Sequence, residues 1–127
     1  MIVLDTNVLS ELMRPTPAET VLAWLARQPA PRMFTTTVTQ AEIGYGLALM
    51  SPGKRRAALE AAVEQMFATD FLGRVLPFDA AAADEFPAIA ARRKRTGQPV
   101  AAFDVMIAAI ARSRGAALAD LNGDGLL

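Results

Sequence analysis

Residues 2–7 of the chain read Ile2-Val3-Leu4-Asp5-Thr6-Asn7, an apolar run that stops at an acidic residue. A short run that is apolar at every position is typical of a strand buried on both faces, as in a parallel sheet. In open sheets of parallel strands, functional sites form beyond the carboxyl ends of the strands. This stretch therefore predicts the type of sheet and places Asp5 where a functional group is expected.

The rest of the chain alternates strand-like and helical patterns. Further strands are predicted at residues 33–38, 74–78 and 116–119. Pro77 either argues against a strand at 74–78 or places that strand at an edge of the sheet, because proline cannot donate a hydrogen bond to a neighbouring strand. Pro87 lies inside an alanine-rich helical stretch and should kink or split that helix.

Strands that alternate with helices imply right-handed crossovers and a parallel sheet covered by helices on both faces. The predicted fold class is therefore α/β. A length of 127 residues favours one compact domain, so residues 1–127 are expected to form a single unit. Before the second strand, Thr16, Pro17 and Glu19 form a capping pattern that predicts the start of a helix.

The composition excludes several kinds of active site. The chain has 13 Lys and Arg against 13 Asp and Glu, so its net charge does not indicate a nucleic-acid partner. It has no cysteine and no histidine, which excludes thiol nucleophiles, histidine-based triads and imidazole metal ligands. Chemistry would have to come from carboxylates, hydroxyls, amines or a hard cation. No apolar stretch approaches the roughly 20 residues that span a bilayer, and no targeting segment is evident, so a cytoplasmic location is expected.

Asp5 and Glu42 each have a structural interpretation and a functional one. Asp5 can cap a short helix that is predicted to begin near Asn7. Glu42 can complete a capping box with Thr39, at the start of the helix after the second strand. Both acids also follow strands whose carboxyl ends meet at one edge of the sheet, so they can belong to one site.

Asp104 stands in a helix, predicted from about residue 101 to 114, that is apolar on nearly every face. A carboxylate there is expected to lose much of its water, which costs several kcal/mol unless charge or hydrogen bonds compensate. The alternative is that Asp104 stays partly hydrated near the helix start, where the helix dipole contributes only about 0.3–1 kcal/mol. Three acids in one site would repel one another unless a divalent cation held them, and oxygen ligands favour Mg²⁺ or Mn²⁺.

Three stretches resemble motifs of PIN-domain proteins, particularly the VapC-type toxins of bacterial toxin–antitoxin pairs. The first reads Ile2-Val3-Leu4-Asp5-Thr6-Asn7-Val8-Leu9-Ser10-Glu11, the second Thr39-Gln40-Ala41-Glu42-Ile43-Gly44-Tyr45-Gly46 and the third Phe103-Asp104-Val105-Met106-Ile107-Ala108-Ala109. Each motif is weak when taken alone. Their shared order and spacing extend the resemblance over nearly the whole chain.

The resemblance implies a three-layer α/β/α fold and a Mg²⁺-dependent endoribonuclease that forms homodimers and is inhibited by a small antitoxin. In that case Asp5, Glu42 and Asp104 would ligate the metal or orient the attacking water. Thr6 or Asn7 would supply a hydrogen bond to one of these ligands. Asp79 would lie outside the site and serve as a helix cap.

The C-terminal stretch departs from the family pattern. It reads Ala119-Asp120-Leu121-Asn122-Gly123-Asp124-Gly125-Leu126-Leu127, where the family has a fourth acidic position followed by a fifth strand. Asn122 stands at that acidic position, and Asp120 or Asp124 can replace it as a metal ligand. The alternative interpretation is a mobile turn at a chain end. The sheet is expected to lack its last strand, which leaves an edge for a partner to cover.

Two basic runs complete the candidate features, one at 54–56 and one formed by Arg92, Arg93, Lys94 and Arg95. Either run can be an ordinary solvated helix face or a contact for RNA phosphates. Two other functions remain open. A degenerate PIN domain would bind RNA or protein without cutting it, and a phosphoaspartate protein would carry its phosphate on Asp5. The phosphoaspartate alternative lacks the second Asp and the downstream lysine motif that it needs.

Overall fold

The structure is a computed structural model that describes residues 1–121 of the chain. The strands are β1 (Ile2–Leu4), β2 (Met33–Thr36), β3 (Val75–Leu76) and β4 (Ala117–Ala119). The α-helices are α1 (Thr6–Leu12), α2 (Glu19–Ala26), α3 (Thr37–Ala48), α4 (Lys54–Gln65), α5 (Ala80–Arg95) and α6 (Ala102–Ser113). A 3₁₀ turn at Ala30–Arg32 precedes β2, and a π-helical turn at Met66–Asp70 follows α4.

The four strands form one sheet in the order β3-β2-β1-β4, and every neighbouring pair is parallel. In the central part of the sheet Val3 lies between Phe34 of β2 and Leu118 of β4. The predicted parallel α/β fold is therefore confirmed. The edge position that Pro77 indicated for the third strand is confirmed as well.

Helices cover both faces of the sheet, and the side chains of β1 alternate between the two cores. Ile2 and Leu4 belong to a core that they share with α1, α2, α3 and α4. Val3 points into the second core, which is formed largely by α5 and α6. This alternation confirms the three layers, because a strand sends successive side chains to opposite faces.

One predicted helix boundary is wrong. The second helix does not begin at Thr16, because its N-cap is Ala18, whose backbone N–H donates to Glu11 Oε2 at 3.0 Å. Of the kink or split predicted at Pro87, the split does not occur, because helix α5 is continuous from Ala80 to Arg95. Pro87 and Ala83 both lie on the exposed side, so the carbonyl that loses its helical donor there is accessible to water.

Within residues 1–121, no helix is long and apolar enough to cross a bilayer. The fifth-strand prediction and the candidates Asn122 and Asp124 fall on residues 122–127, outside the described part of the chain.

Candidate functional site

Asp5 lies at the carboxyl end of the central strand and is buried, with only 7 % of its surface exposed. Its Oδ1 accepts a 2.9 Å hydrogen bond from the Thr6 N–H, which confirms the prediction that Asp5 caps helix α1. Its own backbone N–H donates to the Ala119 carbonyl at 2.8 Å. That bond joins the ends of β1 and β4, and it places Asp120, the next residue of the chain, at the same edge.

The electrostatic environment of Asp5 shows which acids surround it. Its pKa is raised from the ordinary 3.8 to about 6, mainly by burial and against the hydrogen bond from Thr6 N–H, which lowers it. The negative charges of Asp104, Asp120 and Glu42 contribute smaller parts of this rise, in that order of size. Acids from three other parts of the chain therefore act on Asp5 at one edge of the sheet.

Glu42 is positioned differently from the prediction. The residue that caps α3 is Thr36, whose Oγ1 accepts a 3.0 Å hydrogen bond from the Thr39 N–H. The predicted capping box between Thr39 and Glu42 is therefore wrong. Glu42 Oε1 instead accepts a 2.7 Å hydrogen bond from Thr6 Oγ1, which draws its half-buried carboxylate towards β1 and Asp5.

Three threonine hydroxyls form a chain that ends at Glu42. Thr6 Oγ1 donates its single hydroxyl proton to Glu42 Oε1. The 3.0 Å contact between Thr39 Oγ1 and Thr6 Oγ1 is then a donation from Thr39, and Thr36 donates to Thr39 at 3.2 Å. Thr36 and Thr39 are fully buried, so the protein interior fixes the position of Thr6.

Asp104 occupies the first turn of α6 and is exposed. The expectation that it loses most of its water is therefore wrong. Helix α6 packs its apolar side against α5 and the sheet, and Asp104 lies on the remaining hydrated side, where it needs no buried partner. Asp104 belongs to the candidate site because its negative charge raises the pKa of Asp5. The helix dipole also stabilises a carboxylate in the first helical turn.

The donor set suits a hard cation. All the acids that act on Asp5 offer carboxylate oxygens, which are the ligands that Mg²⁺ and Mn²⁺ prefer, and their mutual repulsion is what a bound cation would relieve. Among residues 1–121, no three Asp, Glu, His or Cys side chains already form a group that could hold a metal ion. A cation held by three carboxylates of residues 1–121 would therefore require their side chains to move closer to one another.

The remaining predicted residues have distinct surroundings. Asn7 is exposed, and Thr6 is the one of the two that reaches a candidate ligand. Asp79 caps α5 through a 3.0 Å bond to the Ala82 N–H and pairs with Arg114 at 3.6 Å, as expected for a structural residue.

The run Arg92, Arg93, Lys94 and Arg95 forms the last turn of α5. Arg93 is half-buried and lines a cleft with Asp104, whereas the other three side chains are exposed. In the other run, at 54–56, Arg56 is engaged with Glu60 at 2.9 Å.

Two residues that adjoin the candidate site were not predicted from the sequence. Thr39 was assigned to the helix cap, and its hydroxyl contact with Thr6 bridges 33 positions that no local pattern connects. Gln98 lines the cleft beside Arg93 and Asp104, although it stands in a short loop without a motif.

The chain matches the family model described as PIN domain over residues 2–126. It is 40 % identical to the VapC ribonuclease Y4jK of Sinorhizobium fredii over 115 residues, which cover 91 % of this chain and 82 % of that protein. It is 41 % identical to the toxin FitB of Neisseria gonorrhoeae over 112 residues, or 88 % of this chain and 81 % of that one.

The fold comparison agrees with the sequence comparison. The crystal structure of FitAcB from Neisseria gonorrhoeae superposes with a TM-score of 0.87 at 38 % sequence identity. The match covers 96 % of this chain and 88 % of that one, so the likeness extends over the whole described fold.

Proposed function

The chain belongs to the PIN-domain family, and from this membership we propose that it is a Mg²⁺-dependent endoribonuclease, the toxin of a toxin–antitoxin pair. Mn²⁺ would serve in place of Mg²⁺. The observation that carries the proposal is the action of Asp104, Asp120 and Glu42 on the buried Asp5 at the carboxyl edge of a parallel sheet. Acting on cellular RNA, such a protein would work in the cytoplasm.

Asp5, Glu42 and Asp104 would hold the cation, with Asp120 as a further ligand. When bound, such a cation lowers the pKa of water and neutralises charge on a phosphodiester. Asn122 and Asp124 lie outside the described residues and stay candidates from the sequence alone.

The residues of the chain divide the remaining work. The side chain of Asp5 accepts a hydrogen bond from the Thr6 N–H, and its backbone N–H donates one to the Ala119 carbonyl. These two bonds fix the position of Asp5 in the site. Glu42 is oriented by the Thr6 hydroxyl. Asp104 is exposed, so the site is open to a polymer on that side. In-line hydrolysis of a phosphodiester needs metal ligands at fixed positions that an RNA strand can reach.

An apolar groove of about 350 Å³ suits the proposed antitoxin, which would be small and helical. Its walls include Leu12 and Met13 at the end of α1, and Leu59, Val63 and Met66 from α4 and the turn that follows it. Met13 and Leu59 also line a second groove that reaches Thr6 and Glu42. An antitoxin helix bound in the first groove would therefore lie beside the acidic site. This position supports the proposal that the antitoxin inhibits the nuclease.

The proposed homodimer has a candidate surface on α3. Tyr45 and Leu49 stand one helical turn apart and expose 67 % and 70 % of their surfaces. Large apolar side chains paired in this way on a helix are a common basis of association.

A second function, a degenerate PIN domain that binds RNA or protein without cutting it, has one observation in its favour. No three acids in the described residues form a metal-binding group as they stand. The two functions differ in one measurable respect, which is whether a divalent ion produces cleavage.

The test is a cleavage assay of the purified protein on total RNA with Mg²⁺, with Mn²⁺ and with EDTA. We expect cleavage that EDTA abolishes and that Asp5→Asn and Asp104→Asn each reduce at least about a hundredfold. Asp84→Asn is the matched control, because Asp84 is an exposed acid on α5. Metal-independent binding without cleavage by the folded wild-type protein would instead establish the degenerate domain.

A further inference from the structure

A cleft of about 460 Å³ opens next to Asp104 and is lined by Arg93, Gln98 and Pro99. It therefore brings one cation and one carboxamide to the side of a proposed metal ligand. Neither group takes part in the acidic site itself. Their position makes them candidates for contact with whatever the acidic site acts on.

Arg93 differs from the other basic residues of its turn. It is half-buried, whereas Arg92, Lys94 and Arg95 are exposed. No salt bridge within residues 1–121 involves Arg93, although four other arginines are paired with Glu11, Glu60, Glu85 and Asp79. A partly desolvated guanidinium that is not neutralised inside the protein attracts an anion more strongly than a fully hydrated one.

The turn after α5 holds Arg93 and Gln98 together. Gly97 adopts a left-handed conformation with φ of 74°, which reverses the chain at the end of the helix. The reversal lets the Gln98 N–H donate to the Arg93 carbonyl at 2.8 Å and the Gly97 N–H donate to the Lys94 carbonyl at 3.2 Å. This pair of bonds is a Schellman motif, so the two cleft residues sit on a fixed turn and not on a loose loop.

We infer that Arg93 and Gln98 bind a backbone phosphate of a single-stranded RNA next to the phosphate that is cut. This inference rests on the proposed nuclease function. The guanidinium offers two parallel donors to phosphate oxygens, and the side-chain amide offers further donors. Asp104 in the same cleft repels a free anion. A phosphate attached to a strand that continues into the acidic site is therefore the occupant that the charges favour.

The first experiment measures binding of a fluorescently labelled single-stranded RNA by anisotropy, in EDTA so that the strand stays intact. We expect Arg93→Ala to weaken binding about tenfold, the loss expected for one charge-assisted contact. The slope of log Kd against log salt should fall by roughly 0.7, the value for one phosphate of a single strand. Arg92→Ala is the matched control from the same helical turn and should change Kd by less than about twofold, because Arg92 is exposed and is not among the residues that line the cleft.

Two further variants separate charge from geometry. Arg93→Lys keeps the charge but loses the planar fork, so it should bind between the wild type and Arg93→Ala. Gln98→Ala should weaken binding a few-fold without changing the salt slope, because it removes a neutral donor.

Cleavage kinetics distinguish failure of this inference from failure of the proposed function. We expect Arg93→Ala to raise KM with little change in kcat, since the contact is made equally in the bound and transition states. Equal Kd and KM values for Arg93→Ala and Arg92→Ala, in a wild-type protein that cleaves RNA, would overturn the inference and leave the function standing. A wild-type protein that does not cleave RNA would refute the proposed function. The Kd values of Arg93→Ala and Arg92→Ala would still show whether Arg93 contacts an RNA phosphate.

Discussion

The hydroxyl of Thr6 donates a 2.7 Å hydrogen bond to the carboxylate of Glu42, across 36 positions of the chain. This bond links the helix after the first strand to the helix after the second. It therefore fixes one proposed metal ligand relative to the strand that carries another.

Replacing Thr6 tests this link. Thr6→Val keeps the shape and removes the donor, so we expect activity or Mg²⁺ affinity to fall roughly 10- to 100-fold, as for other groups that orient a metal ligand. Thr6→Ser keeps the hydroxyl and should stay within a few-fold of the wild type. Calorimetric titration with Mg²⁺ measures the affinity apart from turnover. Equal Mg²⁺ affinities of the Val and Ser variants would show that the bond does not position Glu42.

Two adjacent buried threonines should respond to the same substitution with opposite signs. Thr35 and Thr36 are both fully buried. Thr35 Oγ1 has no hydrogen-bond partner within the described residues, whereas Thr36 Oγ1 caps α3. Thr35→Val should therefore raise the free energy of unfolding by about 1 kcal/mol or more. Thr36→Val should lower it by about 0.5–2 kcal/mol.

Urea denaturation of the two variants and the wild type measures both effects. A loss of stability in Thr35→Val would mean that its hydroxyl is hydrogen-bonded after all, for example to a buried water.

The raised pKa of Asp5 predicts how stability depends on pH in the absence of metal. The carboxyl group has a pKa of 3.8 in the unfolded chain and about 6 in the folded one. Below pH 3.8 both states are protonated and Asp5 carries no penalty. Between these values the folded state retains a proton that the unfolded state has lost, so ionisation destabilises the fold progressively, and above pH 6 the full penalty applies.

Asp5→Asn removes that penalty and keeps an oxygen for the cap. In EDTA the variant should be more stable than the wild type, by less than about 1 kcal/mol near pH 4 and by up to roughly 3 kcal/mol above pH 7. Denaturation curves at a series of pH values give this difference directly. A gain that is the same at every pH would contradict the assigned pKa.

A divalent ion should offset most of the stability advantage of Asp5→Asn over the wild type. The wild type should gain about 2.7 kcal/mol at an Mg²⁺ concentration a hundredfold above Kd, which is several degrees in Tm. Asp5→Asn and Asp104→Asn should gain much less, and Asp84→Asn should gain as much as the wild type. Thermal unfolding with and without Mg²⁺ measures these shifts. An equal gain in Asp104→Asn would remove Asp104 from the metal site.

Much of the fold could be predicted from local patterns. The unbroken apolar run of β1 specified a strand between two layers, and its end specified the position of Asp5. The start of α3 could not be fixed in the same way, because Thr36 and Thr39 both suit an N-cap and the choice depends on where β2 ends. This error changed the interpretation of the site, because Glu42 accepts a hydrogen bond from Thr6 and takes no part in a capping box.

Exposure was harder to predict than position. The apolar pattern of α6 did not reveal which side faces solvent, because that depends on how α6 packs against α5. Asp104 was therefore placed in the right motif with the wrong environment. The special position of Arg93 among the four residues of its basic run depends on the turn at Gly97 and on a cleft formed with a residue eleven positions away. Neither is visible in a local sequence window.

The hydrogen bond from the Asp5 backbone to the Ala119 carbonyl has a consequence for the dynamics of the molecule. That amide can exchange its proton with solvent only when β4 separates from β1, so it should be among the slowly exchanging amides of the chain. The acid at the centre of the site is thus attached to backbone that opens only with the sheet. Any adjustment of this site on binding must then come from the side chains and turns around Asp5.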